Sequence, residues 1–456
     1  MRKQILPAAS GPSRRDFIKA SSLLVAGRAV SGGLSVARAA HAYGSDEIRI
    51  GLIGCGGRGT GAAQQALNTV TKSGIAPSGP VRLVAMADVF PDKVQSAYRS
   101  IKSQHGDLVD VPPDRQFSGL DAYQRVMECE LDLVILATPP GFRPLHFESA
   151  VGAGKHVFME KPVATDPPGV RRVLAANDEA KRRNLLVAVG LQRRHERKYQ
   201  ETIQRLWDGA IGDIVCLRVY WNGGGVWVRP RREGQTELEY QLRNWYYFNW
   251  IGGDHIVEQH IHNLDAGNWL MKDHPVECNG MGGRQVRTGG EHGEIFDHHC
   301  CEFAYAGGVR MFSQCRHIRG CWNVVAEHAH GTKGSADISG AKIYSAGGAL
   351  VWSAKGGGGG HQEEHCDLFA ALRQGEIYNE ADAGAHSTMT AIMGRLATYS
   401  GQVVKWDEAL NSNVALADFD NLRTLQDEAP VKPHPNGGYV TEELYQIAVP
   451  GATRVI

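Results

Sequence analysis

The sequence lacks an excess of charge of either sign, because 49 lysine and arginine side chains are balanced by 49 aspartate and glutamate side chains among its 456 residues. Proteins that bind nucleic acid or anionic membranes usually carry excess basic charge, so neither partner is expected. The nine cysteines form no C-x-x-C pair, which argues against a disulfide framework and a thiolate zinc site. Beyond the N-terminal segment no apolar run reaches about twenty residues, so no stable membrane span is expected in the mature chain.

The first 42 residues have the order of regions of a twin-arginine signal peptide. Arg14 and Arg15 precede a stretch of mostly small, uncharged residues, and A-x-A cleavage sites follow at Ala37-Arg-Ala39 and Ala40-His-Ala42. This order predicts that residues 1–42 are removed after export by the twin-arginine machinery. The mature protein is then expected in the periplasm or outside the cell. The alternative is a short amphipathic N-terminal helix that begins with two arginines.

Short apolar runs alternate with helical patterns between Glu47 and about Gln192. Such alternation predicts parallel strands with helices on both faces of the sheet, which is a doubly wound α/β arrangement. We therefore predict an N-terminal Rossmann domain over residues 46–192. The apolar runs that predict its strands are 48–53, 81–87, 131–137, 157–159 and 185–189.

A glycine-rich turn follows the first predicted strand and precedes a segment that can form a helix. In Gly54-Cys-Gly-Gly-Arg-Gly59, the first glycine permits a tight turn, Gly56 lets the backbone approach a pyrophosphate, and the last lets the helix pack on the strand. Gly57 and Arg58 belong to the same predicted cofactor site. Asp88 ends the second strand, where a carboxylate accepts ribose hydroxyls, and this favours NAD over NADP. A glycine-rich turn that binds no dinucleotide is the alternative.

The motifs beyond this turn occur in the order found in the Gfo/Idh/MocA oxidoreductases, which the sequence resembles over nearly its whole mature length. They are Ala85-Met-Ala-Asp-Val89, Ala137-Thr-Pro-Pro140 with His146 downstream, and Gly154-Lys-His-Val-Phe-Met-Glu-Lys-Pro162. The resemblance implies that Thr138, His146, Glu160 and Lys161 contribute to the cofactor site.

In that family the lysine that corresponds to Lys161 faces the nicotinamide and hydrogen-bonds the reacting hydroxyl of a sugar or polyol. The residues give an independent reason, because a lysine between an apolar strand and a proline turn is partly desolvated. Desolvation lowers the pKa of a lysine and suits it to proton transfer. A surface lysine at the end of a strand is the alternative.

Beyond about Gln192 the pattern changes to that of antiparallel strands, as in 214–221 and 309–314. We predict a C-terminal domain over residues 193–456, built on an open, mainly antiparallel sheet that serves substrate binding and oligomerisation. An open sheet face predicts a homo-oligomer, either a dimer or a tetramer.

The segment 249–265 is predicted to form one helix, with Glu258, His262 and Asp265 on one face and His255 one turn earlier. In the family this helix carries an Asp-x-Gly-x-His-x-x-Asp pattern whose histidine is the acid/base partner of the lysine. The match implies catalytic roles for Lys161, Glu258 and His262. Because Glu258 replaces an aspartate and a histidine replaces the glycine, the substrate preferences of the family are not transferred.

Four side chains near this helix are predicted to contact the substrate: His260, Asp265, Trp245 and Tyr246. Flat aromatic faces beside hydrogen-bond donors suit a sugar ring, although they equally suit a subunit interface or a domain core.

Export raises the question of how a nicotinamide enzyme works where free NAD is scarce. We expect a tightly bound NAD, carried out with the folded protein and recycled on it during oxidation of a small carbohydrate. A redox-neutral NAD-dependent glycosidase that acts through a keto sugar is the alternative. A third hypothesis is a non-catalytic sugar-binding protein that has kept the fold.

The density of histidine and carboxylate side chains also suggests a metal site, since imidazole and carboxylate groups ligate divalent metals. We predict no bound metal, because His260 points away from His262 on a regular helix and neighbours in a strand face opposite sides. The side chains considered for this site are His255, Glu258, His260 and His262 with Asp297, His298, His328 or His330.

Overall fold

The computed structural model of the chain describes residues 47–72, 79–357, 359–434 and 444–456. The predicted signal peptide lies outside these residues. No helix among the described residues is long and apolar enough to span a membrane.

A six-stranded parallel sheet forms the first half of the chain, with the strand order β3-β2-β1-β4-β5-β6. Its strands are β1 (Ile48–Ile53), β2 (Val81–Asp88), β3 (Gln116–Ser118), β4 (Leu133–Leu136), β5 (His156–Met159) and β6 (Val187–Val189). The order reverses at β1, which is where a doubly wound sheet opens a crevice for a ligand. The prediction of a Rossmann-type sheet is therefore confirmed.

Helices cover both faces of this sheet. Alternate residues of β4 enter different apolar clusters, because Leu133 and Ile135 pack on one face while Val134 and Leu136 pack on the other. This two-sided burial explains why the strands are continuous apolar runs in the sequence. The helices of this half are α1 (Gly57–Lys72), α2 (Pro91–His105), α3 (Ala122–Met127), α4 (Arg143–Gly152) and α5 (Pro167–Arg182).

A separate nine-stranded sheet has the order β14-β13-β12-β11-β7-β10-β9-β8-β15. All its neighbouring strands are antiparallel except β7 and β10, which confirms a mainly antiparallel second sheet. Its strands are β7 (Ile214–Gly223), β8 (Glu277–Gly283), β9 (His298–Ala304), β10 (Arg310–His317), β11 (Val324–Gly331), β12 (Gly334–Asp337), β13 (Lys342–Ser345), β14 (Leu350–Ser353) and β15 (Val404–Lys405).

The helices of the second half surround this sheet and also return to the first one. Helix α11 packs against α1, and α12 packs against α5, β8 and α10. Both sheets belong to one compact unit, Asp46–Ile456, so the predicted domain boundary at residue 192 stays a prediction. The helices are α6 (Arg197–Trp207), α7 (Glu237–Arg243), α8 (Asn249–Gly252), α9 (His255–Glu258), α10 (Ile261–Met271), α11 (Gly360–Gln374), α12 (Ala381–Ser400) and α13 (Trp406–Leu410).

The prediction of one helix over residues 249–265 is wrong, because the segment forms α8, α9 and the start of α10. The first break occurs at Gly253 and Asp254, whose φ angles are +83° and +74°. These left-handed conformations end α8, and the Asp254 carboxylate then accepts the backbone N–H of His255 at 2.5 Å to begin α9. The second break precedes Ile261, so Glu258 and His262 lie on different short helices.

Candidate active site

A cavity of about 750 Å³ lies at the carboxyl ends of β1, β2, β4 and β5 and is covered by residues of the second half. All predicted cofactor residues and the three predicted catalytic residues line it. These are Gly54, Gly56, Gly57, Arg58, Gly59, Asp88, Thr138, His146, Glu160, Lys161, Glu258 and His262.

The glycine-rich turn has the geometry that its sequence predicts. Gly54 has a φ of +99°, and a Cβ at Gly59 would lie 1.8 Å from the Gly54 carbonyl oxygen, so neither position accepts a larger residue without displacement of the backbone. At Gly56 and Gly57 no atom lies within 4 Å of the place a Cβ would take. This open backbone at the start of α1 fits the pyrophosphate of a dinucleotide.

Asp88 ties the end of β2 to the glycine-rich turn. Its carboxylate accepts the backbone N–H of Cys55 at 2.7 Å and that of Phe90 at 3.0 Å. Burial raises the pKa of Asp88, and the two N–H donors oppose that shift. The carboxylate is therefore held at the position where an acidic residue binds ribose hydroxyls.

Thr138 and His146 form a buried polar pair at the end of β4. Thr138 Oγ1 and His146 Nδ1 are hydrogen-bonded at 3.1 Å, and the imidazole stacks on Tyr123 with ring centroids 4.4 Å apart. Burial lowers the pKa of His146 to about 3, so the ring is neutral and acts as a hydrogen-bonding group rather than a charge.

Lys161 and Glu258 join the two halves of the chain inside the cavity. The Lys161 Nζ donates to the backbone oxygen of Glu258 at 2.6 Å and to its Oε1 at 3.0 Å. The side chains are only 13% and 15% exposed, respectively. Since an ammonium group has three donors, this geometry leaves one for a substrate oxygen.

His262 is buried at the cavity wall and stacks on Trp221 with ring centroids 6.0 Å apart. Burial, followed by the charge of Lys161, lowers the pKa of His262 well below its usual value. Its Nδ1 has no hydrogen-bond partner among the described residues. The imidazole is therefore neutral, and its Nδ1 is free to hydrogen-bond a hydroxyl bound beside Lys161.

Two further residues at this end of the cavity, His361 and Glu364, are not predicted from the sequence. Arg58 donates to Glu160 and, at 3.0 Å, to Glu364 Oε1, while His361 Nδ1 lies 3.5 Å from the same oxygen and His361 lines the cavity. Burial raises the pKa of Glu364 to about 7. The signal was their i, i+3 spacing at the start of α11, directly after the glycine run 356–360.

Three of the four predicted substrate residues do not line the cavity, and only Trp245 does. Tyr246 is buried against His317, with ring centroids 5.8 Å apart. The break before α10 turns His260 into the core, where its Nε2 pairs with Ser313 Oγ at 2.8 Å. The carboxylate of Asp265 accepts hydrogen bonds from the guanidinium group of Arg194 and, at 2.8 Å, from the hydroxyl of Ser387.

The described residues do not bring the considered metal-ligand set together. Instead, three buried side chains, those of Asp254, His255 and His299, each place one potential ligand atom within 4.8 Å of the other two. The Asp254 carboxylate already accepts from Tyr399 Oη at 2.6 Å and from the Phe296 N–H at 3.0 Å. The carboxylate therefore joins the start of α9, the segment that precedes β9, and α12 through hydrogen bonds.

The fold and the glycine-rich turn define a dinucleotide-binding Rossmann protein, and comparison with known proteins narrows the class. Residues 48–190 match the family model described as "Oxidoreductase family, NAD-binding Rossmann fold" (GFO_IDH_MocA). An inositol 2-dehydrogenase of Cereibacter sphaeroides is 30% identical over 277 residues, which cover 59% of this chain and 68% of that protein. The chain belongs to the Gfo/Idh/MocA oxidoreductase family.

Other relatives match shorter parts of the chain. An inositol 2-dehydrogenase of Rhizobium meliloti is 25% identical over 50% of this chain, and the match spans 56% of that protein. A "Glycosyl hydrolase family 109 protein" of Streptomyces coelicolor is 27% identical over 43% of this chain and 38% of its own length.

Solved structures share the fold at low sequence identity. Levoglucosan dehydrogenase in complex with NADH and levoglucosan has a TM-score of 0.61 and 18% identity, covering 79% of this chain and 99% of that one. An aldose-aldose oxidoreductase of Caulobacter crescentus, complexed with glycerol, has a TM-score of 0.60 and 18% identity over 79% and 99% of the two chains.

Proposed function

We propose that the protein is an NAD-dependent oxidoreductase that acts on a CH–OH group of a sugar or polyol. The observation that carries this proposal is the meeting of Lys161, Glu258 and His262 in the cavity that contains the glycine-rich turn. The names of the family relatives, inositol 2-dehydrogenases among them, support a polyhydroxylated substrate.

The residues of the cavity fit a bound dinucleotide, with the turn from Gly54 to Gly59 for the pyrophosphate and Asp88 for a ribose. When bound, the nicotinamide supplies the hydride acceptor. His262 takes the proton of the substrate hydroxyl, and the remaining donor of Lys161 binds the same oxygen as negative charge develops on it. Glu258 holds the ammonium group of Lys161 in place through two contacts.

We further propose that the cofactor is NAD, held tightly and recycled on the protein. Asp88 supports NAD, because a carboxylate at this position disfavours the extra phosphate of NADP. Tight binding would let the protein carry its cofactor through the twin-arginine machinery. Export and a periplasmic or extracellular location stay predictions, and so does the homo-oligomer. Met281 and Phe312 are exposed apolar residues on the same face of the second sheet, where a second copy could pack.

The cofactor content of the purified protein tests this proposal. Protein purified without added cofactor and then denatured is expected to release close to one NAD(H) per chain. Chromatography of the released nucleotide, together with that of authentic NADP(H), measures both identity and amount. Protein that releases no nucleotide and rebinds NAD only weakly would contradict the tightly bound cofactor.

A redox-neutral NAD-dependent glycosidase is the second candidate, and the position of His361 in the cavity favours it. Oxidation of a sugar hydroxyl to a ketone acidifies the neighbouring C–H, so a base can remove that proton while the glycosidic C–O bond breaks. His361 would protonate the departing oxygen, with Glu364 behind it. Water then adds to the double bond and the ketone is reduced again, so the net reaction is hydrolysis. The family 109 relative is consistent with this candidate.

Replacement of His361 by Asn separates the two candidates. In a glycosidase, His361→Asn is expected to lower cleavage of nitrophenyl glycosides by about a hundredfold or more, because a positioned general acid contributes on that order. Reduction of bound NAD by the same sugars, followed by absorbance, is expected to continue. Glu363→Gln, a change at a neighbouring side chain outside the cavity lining, is the control. Equal cleavage by His361→Asn and the control would remove His361 from the mechanism, and absence of cleavage in the wild type would leave the oxidoreductase.

A further inference from the structure

The cavity has a second wall that the family resemblance did not predict. Residues 226–248, here named the cover segment, connect β7 to α8 and include α7. They line the cavity opposite the end of β2 and the start of α2. The lining residues of the cover segment are Trp227, Arg229, Pro230, Arg232, Leu242, Arg243 and Trp245, and those facing them from the first half include Val89, Phe90, Asp92, Lys93, Gly119 and Leu120.

Arg243 makes the contact that closes this end of the cavity. Its guanidinium carbon lies 3.8 Å from the centroid of the Phe90 ring, and its Nη2 lies 3.2 Å from Asp92 Oδ1. From the other side, its Nε donates to Glu239 Oε1 at 2.9 Å within α7. The guanidinium group is thus oriented by the cover segment and bound by the residues that directly follow β2.

The last part of the chain, residues 416–434 and 444–456, here named the chain end, also binds the cover segment. Thr236 donates through its hydroxyl to the Leu425 oxygen, and the Gln241 amide donates to the Val431 oxygen, each at 2.5 Å. The Tyr445 hydroxyl donates to Glu237 Oε1 at 2.6 Å. One apolar cluster contains residues of all three parts: Leu120 and Phe142 of the first half, Leu238 and Leu242 of the cover segment, and Leu444 and Tyr445 of the chain end.

The chain end is itself attached to the first half. Arg172 on α5 binds Asp420 with two contacts of 2.7 and 3.0 Å. The backbone N–H of Leu416 donates to Asp166 Oδ2 at 2.8 Å. The cover segment is therefore fixed both at its contact with Phe90 and through the chain end, and movement away from the cavity breaks polar and apolar contacts together.

In a Rossmann fold the end of β2 is where the acidic residue binds a ribose of the dinucleotide. We propose that Arg243, seated on Phe90 and Asp92, is a determinant of cofactor retention, because the cover segment must leave this end of the cavity before the nucleotide can exchange. The proposal rests on the NAD binding proposed above. It assigns retention of the cofactor to residues at the end of β2 and in the cover segment rather than to Lys161 and His262.

Exchange of bound NAD tests this role. Wild-type protein loaded with NAD is mixed with an excess of isotopically labelled NAD, and the label retained after rapid gel filtration is followed in time. Arg243→Ala is expected to exchange NAD at least about tenfold faster, which corresponds to the loss of one partly exposed cation–π contact and one ion pair. Asp92→Asn, an exposed change that weakens the same contact from the other side, is expected to act in the same direction.

Arg310→Ala is the matched control, because Arg310 is an exposed arginine on β10 with its own acidic partners, Glu277 and Glu302. The control is expected to exchange at the wild-type rate, and all variants are expected to bind one NAD per chain at saturation. If the wild type, Arg243→Ala and Asp92→Asn all hold NAD and exchange it equally fast, the retention role of Arg243 is overturned while the proposed function stands. If the wild type binds no NAD, the proposed function fails and the retention role fails with it.

Discussion

Lys161→Met is expected to lower turnover by about a thousandfold or more while leaving the amount of bound NAD nearly unchanged. Methionine keeps much of the length and apolar contact of the lysine stem but removes the ammonium group that binds Glu258 and faces the cavity. General acid–base catalysis contributes on the order of a hundred- to ten-thousandfold, and one donor to a developing oxyanion contributes about a hundred- to a thousandfold. The glycine-rich turn and Asp88 are not altered.

The fold of this variant is expected to survive the change. Glu258 loses its counter-charge, but it keeps some exposure to the cavity, so its carboxylate is not left in an apolar environment. Single-turnover reduction of bound NAD by a sugar panel measures the chemical step, and nucleotide released on denaturation measures cofactor content.

Lys155→Met is the matched control for this experiment. Lys155 directly precedes β5, whereas Lys161 follows it, and its Nζ donates to the Leu131 oxygen at 2.9 Å on the edge of the sheet away from the cavity. This variant is expected to keep full activity. Turnover by Lys161→Met at the level of Lys155→Met would remove the lysine from the mechanism.

The parts of the site that the sequence predicted are those fixed by local chain geometry. Gly54 and Gly59 must be glycine because of contacts within one strand-turn-helix unit. Lys161 follows a strand that its continuous apolar run predicts, and the carboxyl ends of parallel strands meet at one edge of the sheet. Position in the chain was therefore enough to place these residues around one cavity.

The parts that the sequence did not predict depend on contacts between distant segments. Arg58 and Glu364 are 306 positions apart, and no local spacing shows that α11 returns to α1. The same holds for Arg243 and Phe90. The break between α8 and α9 did have a local signal, since Gly252-Gly253-Asp254 favours a turn over a continuous helix. The position of His260 follows from the second break, before α10, which directs its side chain to Ser313, whereas Tyr246 precedes this segment and packs on His317.

Loss of Glu327 is expected to have the largest effect on stability. Glu327 is 1% exposed and binds Arg193, which is 9% exposed. Tyr199 Oη also donates to it at 3.0 Å, and Asn263 Nδ2 donates at 2.5 Å. Glu327→Leu leaves the guanidinium group of Arg193 buried without its counter-charge, so we expect the free energy of unfolding to fall by about 3–5 kcal/mol.

Chemical denaturation of Glu327→Leu, Arg193→Met and the double variant measures this effect as a thermodynamic cycle. The double variant is expected to be more stable than the sum of the single changes predicts, because it removes both charges and leaves an apolar pair of similar volume. The exposed pair of Arg197 and Glu201, at 83% and 41% exposure, provides the control, and Glu201→Ala is expected to cost less than about 0.5 kcal/mol.

The same ion pair supports the active site, so its loss is also expected to affect activity. Asn263, which donates to Glu327, is the residue directly after His262 on α10. The guanidinium carbon of Arg193 lies 5.7 Å from the ring of Trp221, which stacks on His262. Activity in Glu327→Leu is therefore expected to fall below the wild-type level even where the variant is fully folded. Wild-type stability and activity of Glu327→Leu would contradict this prediction. It would mean that Arg193 binds another partner or reaches solvent once Glu327 is lost.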